Sequence, residues 1–330
     1  MNQQECSKQF MTAAGLLPER LWRAAFTVPP DEREKIEEFR LRIGRPFCAV
    51  GAGKRYTLAD AVTRGELDEL LQRATRSSVH TYMEQIRQGF ITVPSGHRLG
   101  LCGETAEQNS EITNLRSFSS CNLRIARQMI GLADALCAQI YQNGFESTLI
   151  LAPPGGGKTT LLRDMARVLS QSLNVALADE RMEIAACRDG EPQFDVGQCD
   201  VMSGGSKSEV MTMLLRSMSP QVIALDEITG ERDAAALIAA SYTGCRFLTT
   251  VHASCVQELM LRPAYRQLIE QGIFQHIIEI RLRDGRRSYH MYTEGEMECD
   301  QAVGSGAHRG VVLGGRFFHE QPAERPRCGA

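Results

Sequence analysis

Thr148-Leu-Ile-Leu-Ala-Pro-Pro-Gly-Gly-Gly-Lys-Thr-Thr-Leu-Leu162 is the stretch that decides how this chain folds. Leu149 to Leu151 form a short apolar run with the signature of a buried strand. Past Thr160, residues Leu161, Leu162, Met165, Ala166 and Leu169 recur at helical spacing. Strand, glycine-rich turn and helix are the context of a phosphate-binding loop. Glycines let consecutive backbone N–H groups curl round a phosphate, and the N-terminal dipole of the new helix favours the same negative charge. The pattern assigns Pro154, Gly155, Gly156, Gly157, Lys158, Thr159 and Thr160 to nucleotide binding. Lys158 faces the β- and γ-phosphates and the Thr159 hydroxyl faces Mg²⁺, so ATP and Mg²⁺ are the expected cofactors. The pattern opens on glycine, and this chain has Ala152 there. If that position needs positive φ, alanine costs about 1 kcal/mol against glycine.

Composition bounds the rest. A chain of 330 residues has room for two domains of ordinary size. Hydrophobic residues make up 43% and charged residues 23%, enough to bury a core. The net charge of −3 gives no electrostatic argument for nucleic acid as a partner. None of the eleven cysteines forms a Cys-x-x-Cys pair, which fits reduced cysteines in a cytoplasmic protein rather than zinc. The N-terminus has no basic start leading into an apolar stretch. No apolar run approaches the ~20 residues of a membrane helix, so contact with a membrane is expected through a partner.

Residues 1–125 read as a smaller α+β domain. Helices are expected over 16–26, from Asp31 as a cap to Ile36, over 67–74 and over 79–87. Glu38 to Ile43 alternates like a half-buried strand, and hairpins are expected over 47–58 and 90–101. Gly51-Ala-Gly-Lys54 lacks a following Ser or Thr and a helix, so it reads as a turn. Residues 118–129 are taken as the link to the next domain. Over 126–300 strands and helices alternate, which implies an α/β fold with a mainly parallel sheet covered by helices. Within it, 187–205 reads as a long functional loop, 256–271 as one helix, and Asp284-Gly285 as a hairpin turn. Residues 301–330, with their Gly, Pro and Arg, read as a poorly ordered tail.

Three further strand ends carry chemistry, and ligands of open α/β sheets bind at carboxyl ends of strands. Asp226-Glu227 follows the apolar run Val222 to Leu225. There Asp226 suits a metal-bound water, and Glu227 suits orienting or deprotonating an attacking water. Asp179, Glu180 and Glu183 follow the strand over 175–178, where Glu180 is assigned to the metal's surroundings. A solvated turn with Asp179 as a helix cap is the alternative. His252 ends the run Leu248-Thr-Thr-Val251 and joins Lys158 and Glu227 as a catalytic candidate. A site built from one chain leaves the γ-phosphate partly uncompensated; ring ATPases commonly supply the missing cation from elsewhere, often across a subunit boundary, and Arg124, Arg127 and Arg216 are the candidates. Ordinary surface charge is the alternative for Arg124 and Arg127.

Asp179-Glu-Arg181, Asp226-Glu227 and Leu248-Thr-Thr-Val-His252 resemble the Asp box, Walker B motif and His box of the secretion ATPases, the hexameric RecA-like motors of type II and type IV pilus systems. Within that group the chain is similar to the stage III sporulation AA proteins of spore-forming Firmicutes. The similarity is carried by Glu38-Phe-Arg-Leu-Arg-Ile-Gly-Arg-Pro46, Ser95-Gly-His-Arg-Leu-Gly-Leu-Cys-Gly-Glu104, Asn122-Leu-Arg-Ile-Ala-Arg127, Pro192-Gln-Phe-Asp-Val-Gly197 and Arg216-Ser-Met-Ser-Pro-Gln-Val-Ile223. The resemblance implies a RecA-like P-loop NTPase domain after the α+β domain. It implies an ATPase in the mother-cell cytoplasm, assembled as a hexameric homo-oligomer against a membrane-embedded channel or secretion component. Departures are Ala152, the run Gly155-Gly-Gly157, and residues 300–330, which match no pattern of the family. Two other functions stay open at this point. One is a nucleic-acid-stimulated RecA-like ATPase, against which the acidic balance counts. The other is a nucleotide-gated scaffold without significant turnover, against which Glu227 counts.

Overall fold

A computed structural model describes residues 3–76, 82–108, 111–141, 143–283, 286–293 and 316–319. The chain forms two units: residues 1–128 with 186–194, and residues 129–185 with 195–330.

The first unit contains α1 (Gln3–Ala14), α2 (Glu19–Ala25), α3 (Pro30–Arg33), β1 (Glu38–Arg42), β2 (Pro46–Gly51), β3 (Lys54–Ala61), α4 (Arg64–Thr75), α5 (Met83–Arg87), β4 (Phe90–Thr92), β5 (Arg98–Gln108) and β6 (Glu111–Arg124). Its strands form an antiparallel six-stranded sheet in the order β3-β2-β1-β6-β5-β4. The alternation read in β1 is real: Phe39 and Leu41 are buried, and Glu38, Arg40 and Arg42 around them are half-buried. These join Phe10, Leu21, Phe47, Leu67 and Leu70 in one core. Thr63 and Glu66 close a capping box that starts α4. The turn at Ala52-Gly53 has positive φ at both residues, as the hairpin reading of that segment requires.

Several boundaries differ from expectation. Pro18 fixes the entry to α2, so the helix starts at Glu19. Asp31 lies inside the first turn of α3 rather than capping it, because Pro30 takes the first helical position. Residues 118–124 are the second half of β6, not a link. Of the helix expected over 79–87, α5 is seen and 79–81 lie outside the described residues. Part of the expected loop at 187–205 belongs to this first unit. Arg188 Nη2 donates to Ala74 O at 3.0 Å, and the Ser95 backbone N–H donates to Gln193 Oε1 at 3.1 Å. The Phe194 ring occupies the space where a Cβ on Gly96 would sit, 2.6 Å away.

His97 ties this unit together and gives it a pH dependence. Its ring is fully buried, Nδ1 accepts from the Ala126 N–H at 3.0 Å, and Nε2 lies 2.8 Å from Thr12 Oγ1. An accepting Nδ1 puts the ring proton on Nε2, so the folded state holds a neutral imidazole. Burial pushes its pKa down to about 4. Below pH ~6.5 the unfolded chain takes up a proton that the folded chain refuses. Stability is therefore complete above that pH and falls by ~1.4 kcal/mol per pH unit until the folded pKa is passed. Urea unfolding of the first unit's transition between pH 7 and 4 checks this, and His97→Gln is expected to flatten that part of the slope.

The second unit contains α6 (Asp134–Ile140), β7 (Thr148–Ala152), α7 (Lys158–Leu169), β8 (Val175–Asp179), β9 (Asp200–Ser203), α8 (Lys207–Ser217), β10 (Val222–Leu225), α9 (Glu231–Ser241), β11 (Arg246–His252), α10 (Val256–Met260), α11 (Pro263–Glu270), β12 (His276–Arg283), β13 (Arg286–Thr293) and β14 (Arg316–His319). The eight-stranded sheet runs β14-β13-β12-β7-β11-β10-β8-β9. From β12 to β9 neighbours are parallel, and β13 and β14 add an antiparallel edge. Every residue of β7, β8 and β10 is buried, as strands covered on both faces must be. This order sets the carboxyl ends of β7, β11, β10 and β8 side by side.

Three features depart from expectation. Residues 200–203 form an edge strand beside β8 inside the segment read as a loop. The helix expected over 256–271 is two helices, since Pro263 starts α11 after Arg262 leaves the helical region. Residues 316–319, inside the expected tail, pair with β13, and the other residues of 301–330 lie outside the described ones. No described cysteine is in a disulfide. No helix among the described residues is long and apolar enough to cross a membrane.

Candidate functional site

The site begins where β7 ends. Ala152 is its last residue, in register with His252 of β11, and its φ is not positive. The cost expected for an alanine at this position therefore does not arise. The methyl group instead constrains its neighbour, because a Cβ on Gly156 would lie 2.6 Å from Ala152 Cβ. Gly155 and Gly157 have φ of +73° and +98°, and Gly157 caps α7. Gly156→Ala is expected to overpack the loop at a cost of ~1–3 kcal/mol. Adding Ala152→Gly should return part of that stability in a denaturant titration, the Pro153 carbonyl 3.0 Å from the new Cβ keeping the rest. A double variant no better than Gly156→Ala would mean that the two side chains do not collide.

Lys158 enters the site from the first turn of α7. Its residue is buried, and Nζ lies 3.1 Å from Ala152 O, 3.4 Å from Pro153 O and 2.7 Å from His252 Nδ1. Burial lowers its pKa, with Glu227 and Asp226 pulling it back up. A lysine ammonium only donates, so His252 Nδ1 accepts and the ring proton sits on Nε2. Nε2 lies 3.2 Å from Glu227 Oε2. Lys158, His252 and Glu227 thus stand in one line of polar contacts across the ends of three elements. Arg181 Nη1 stands 3.9 Å from the same carboxylate.

Asp226 is held from below. Its Oδ1 accepts from Thr250 Oγ1 at 3.0 Å and from Thr159 Oγ1 at 3.5 Å, while Thr249 Oγ1 donates to its backbone O at 3.3 Å. The Thr159 hydroxyl and the Asp226 carboxylate therefore face one point. A small hard cation such as Mg²⁺ is suited by one or two protein oxygens, with phosphate and water supplying the rest. Among the described residues no group of three or more His, Cys, Asp or Glu could hold a metal alone.

Lys158, Thr159, Asp226, Glu227, Thr250 and His252 line a cleft of ≈ 360 Å³ together with Gly155, Gly157, Thr160, Arg181, Glu183 and Arg287. Glu180 is not among the lining residues, contrary to its assignment to the metal. Its carboxylate pairs with the buried Lys207, where it neutralises a charge that burial would otherwise penalise. The cause lies in Asp179, which curls the chain behind it. Its carboxylate accepts from the backbone N–H groups of Glu183, Ile184 and Ala185 at 2.8–3.1 Å, and no helix follows for it to cap. Burial raises the Asp179 pKa and these hydrogen bonds oppose the rise. Arg163, its pKa lowered to about 10 by burial, donates to the carbonyls of Glu183 and Ile184 and pins the same turn. Glu183, not Glu180, consequently faces the cleft.

Arg124, Arg127 and Arg216, expected to complete a site often across a subunit boundary, are not among the residues that line the cleft of their own chain. Arg127 belongs to the first unit and donates through Nη2 to Glu34 O at 2.6 Å and Ile36 O at 2.8 Å. Arg124 ends β6, exposed, and Arg216 lies in the last turn of α8, where a cation suits the helix dipole. Arg287 was not anticipated. It lies near the start of β13, just past the expected Asp284-Gly285 turn, which lies outside the described residues, and only the sheet order brings β13 near β7.

The family described as Sporulation stage III, protein AA matches residues 15–292. Stage III sporulation protein AA of Bacillus subtilis (strain 168) is 38% identical over 274 residues, covering 81% of this chain and 89% of that protein. Among solved structures, the pilus retraction motor PilT with bound ADP aligns with a TM-score of 0.58 at 16% identity, over 81% of this chain and 83% of PilT. The ATPase DotB of Legionella pneumophila aligns with a TM-score of 0.53 at 17% identity, over 81% of this chain and 80% of DotB. These likenesses identify the RecA-like fold of the secretion ATPases. On the extent and identity of the sequence match, the chain belongs to the sporulation stage III protein AA family.

Proposed function

We propose that this protein binds ATP with Mg²⁺ at the β7–α7 loop and hydrolyses it. The observation that carries the proposal is the chain Lys158–His252–Glu227, set beside Thr159 and Asp226 at the carboxyl ends of parallel strands. The loop amides and the N-terminus of α7 hold phosphate oxygens. Lys158 leaves the carbonyls of Ala152 and Pro153 for the β- and γ-phosphates. His252 Nδ1 then loses its donor, so occupancy of the phosphate site is passed to Glu227 through one imidazole. Glu227 orients the attacking water and accepts its proton. Thr159 and Asp226 would hold Mg²⁺, which would supply charge neutralisation at the phosphates.

Membership of the family and the secretion-ATPase fold support the wider role. In it the protein works in the mother cell as a hexameric ring that energises or assembles a secretion-like channel toward the forespore. Phosphate turnover with and without Mg²⁺, measured on the sample whose particle mass is recorded with and without ATP, tests both levels. Tight binding without turnover would leave a nucleotide-gated scaffold. Stimulation by single-stranded nucleic acid at moderate salt would replace the channel role. A monomer in every nucleotide state would remove the ring.

A further inference from the structure

We propose that Arg287 is a nucleotide ligand supplied in cis by β13, acting on the phosphates that ADP and ATP share; this rests on the nucleotide site proposed above. β13 is two strands from β7 in the sheet, and Arg287 is half-buried on the cleft wall. Its Nε donates to Gly156 O at 3.3 Å. Its Nε, Cζ and Nη2 lie 3.2, 3.5 and 3.6 Å from where a Cβ on Gly157 would sit. The guanidinium therefore lies across the N-cap of α7, and the missing side chain at Gly157 makes the room for it.

That position is electrostatically unfavourable on its own. The N-terminus of a helix carries partial positive charge, and a cation beside it is repelled. Lys158 and Arg181 are further cations in the same cleft, set against the carboxylates of Glu183, Asp226 and Glu227, none of which pairs with Arg287. Among the described residues no carboxylate forms an ion pair with Arg287, and its one hydrogen bond is to a neutral carbonyl. A guanidinium has five N–H donors in a planar fork, so most of its donors remain for an anion. The anion it fits is phosphate bound at the loop. Backbone amides of such a loop cradle the α- and β-phosphates, whereas the lysine reaches the β- and γ-phosphates. Arg287 lies along Gly156–Gly157 and so belongs with the first pair. It divides the work with Lys158, holding the part of the nucleotide that survives hydrolysis.

The test is equilibrium binding of Mg²⁺-ADP and Mg²⁺-ATP to the full chain, with apo thermal unfolding alongside. Arg287→Ala is expected to weaken both nucleotides alike, by roughly ten- to a hundredfold, as loss of a charge-assisted hydrogen bond does. Arg287→Lys should recover part of the affinity, keeping the charge but not the fork. The apo unfolding midpoint of Arg287→Ala should stay level or rise, because a repelled cation is gone. Unchanged affinity overturns the inference. So does a loss confined to ATP, which would make the residue a γ-phosphate ligand. A fall in apo stability large enough to explain the weaker binding also overturns it, since the arginine would then only brace the loop. Wild type and Lys158→Ala are measured in parallel. If wild type binds no nucleotide, the proposed function and this inference fail together. If wild type binds, Lys158→Ala weakens binding and Arg287→Ala does not, only this inference fails.

Discussion

Glu227→Gln is expected to bind nucleotide normally while turnover falls about 10²–10⁴-fold, the usual contribution of a positioned general base. The substitution keeps the shape and an oxygen that can accept from His252 Nε2, now 3.2 Å from the carboxylate. What it removes is basicity and negative charge. The loss should appear in kcat, with the dissociation constant for ATP little changed, because the water is oriented only on the way to the transition state. If hydrolysis drives disassembly, oligomers should accumulate in this variant. Turnover at the wild-type rate would show that another group handles the water.

Lys158→Ala should be as damaging, but through binding. The ammonium is the cation at the mouth of the loop, and losing its charged hydrogen bonds to phosphate should weaken ATP roughly ten- to a hundredfold. Turnover should fall further than affinity, because charge on the transferring phosphoryl oxygens has to be stabilised in the transition state. The variant also deprives His252 Nδ1 of its donor. His252→Ala made alone separates these effects: it should leave ATP binding in place and slow turnover. Unchanged binding of a fluorescent ATP analogue to Lys158→Ala would sink the assignment of the loop. Matched unfolding transitions in urea would show that the fold is intact.

The parts of the molecule legible in the sequence are those set by short-range patterns. β7, its glycine turn and α7 are contiguous, so spacing alone placed Lys158 and Thr159 at the helix start. Asp226-Glu227 and His252 could be placed because a buried parallel strand is a continuous apolar run with a sharp end. β9 could not, since Asp200-Val-Met-Ser203 is a short edge strand with no fully buried residue. α1 escaped notice because its buried residues include the small Ala13 and Ala14, which leave a faint apolar stripe. Glu180 and Glu183 were indistinguishable in one dimension. The three backbone hydrogen bonds to Asp179 choose between them, and these are visible only in the folded turn. Arg287 owes its place entirely to strand order, to which no local pattern points.

The excursion over 186–194 limits how this protein can be taken apart or recombined. The chain passes between its units after residues 128, 185 and 194. No single cut yields both as contiguous polypeptides. An N-terminal fragment ending at Gln128 would lack Arg188, Gln193 and Phe194, leaving the Ala74 carbonyl, the Ser95 amide and the face of Gly96 without their native neighbours. The complementary fragment would carry those residues as a solvent-facing loop with an apolar phenylalanine on it. A gene fusion that swapped one front unit for another would have to rewrite this internal stretch as well. The two halves are thus bound to be inherited, expressed and degraded as a single length of chain.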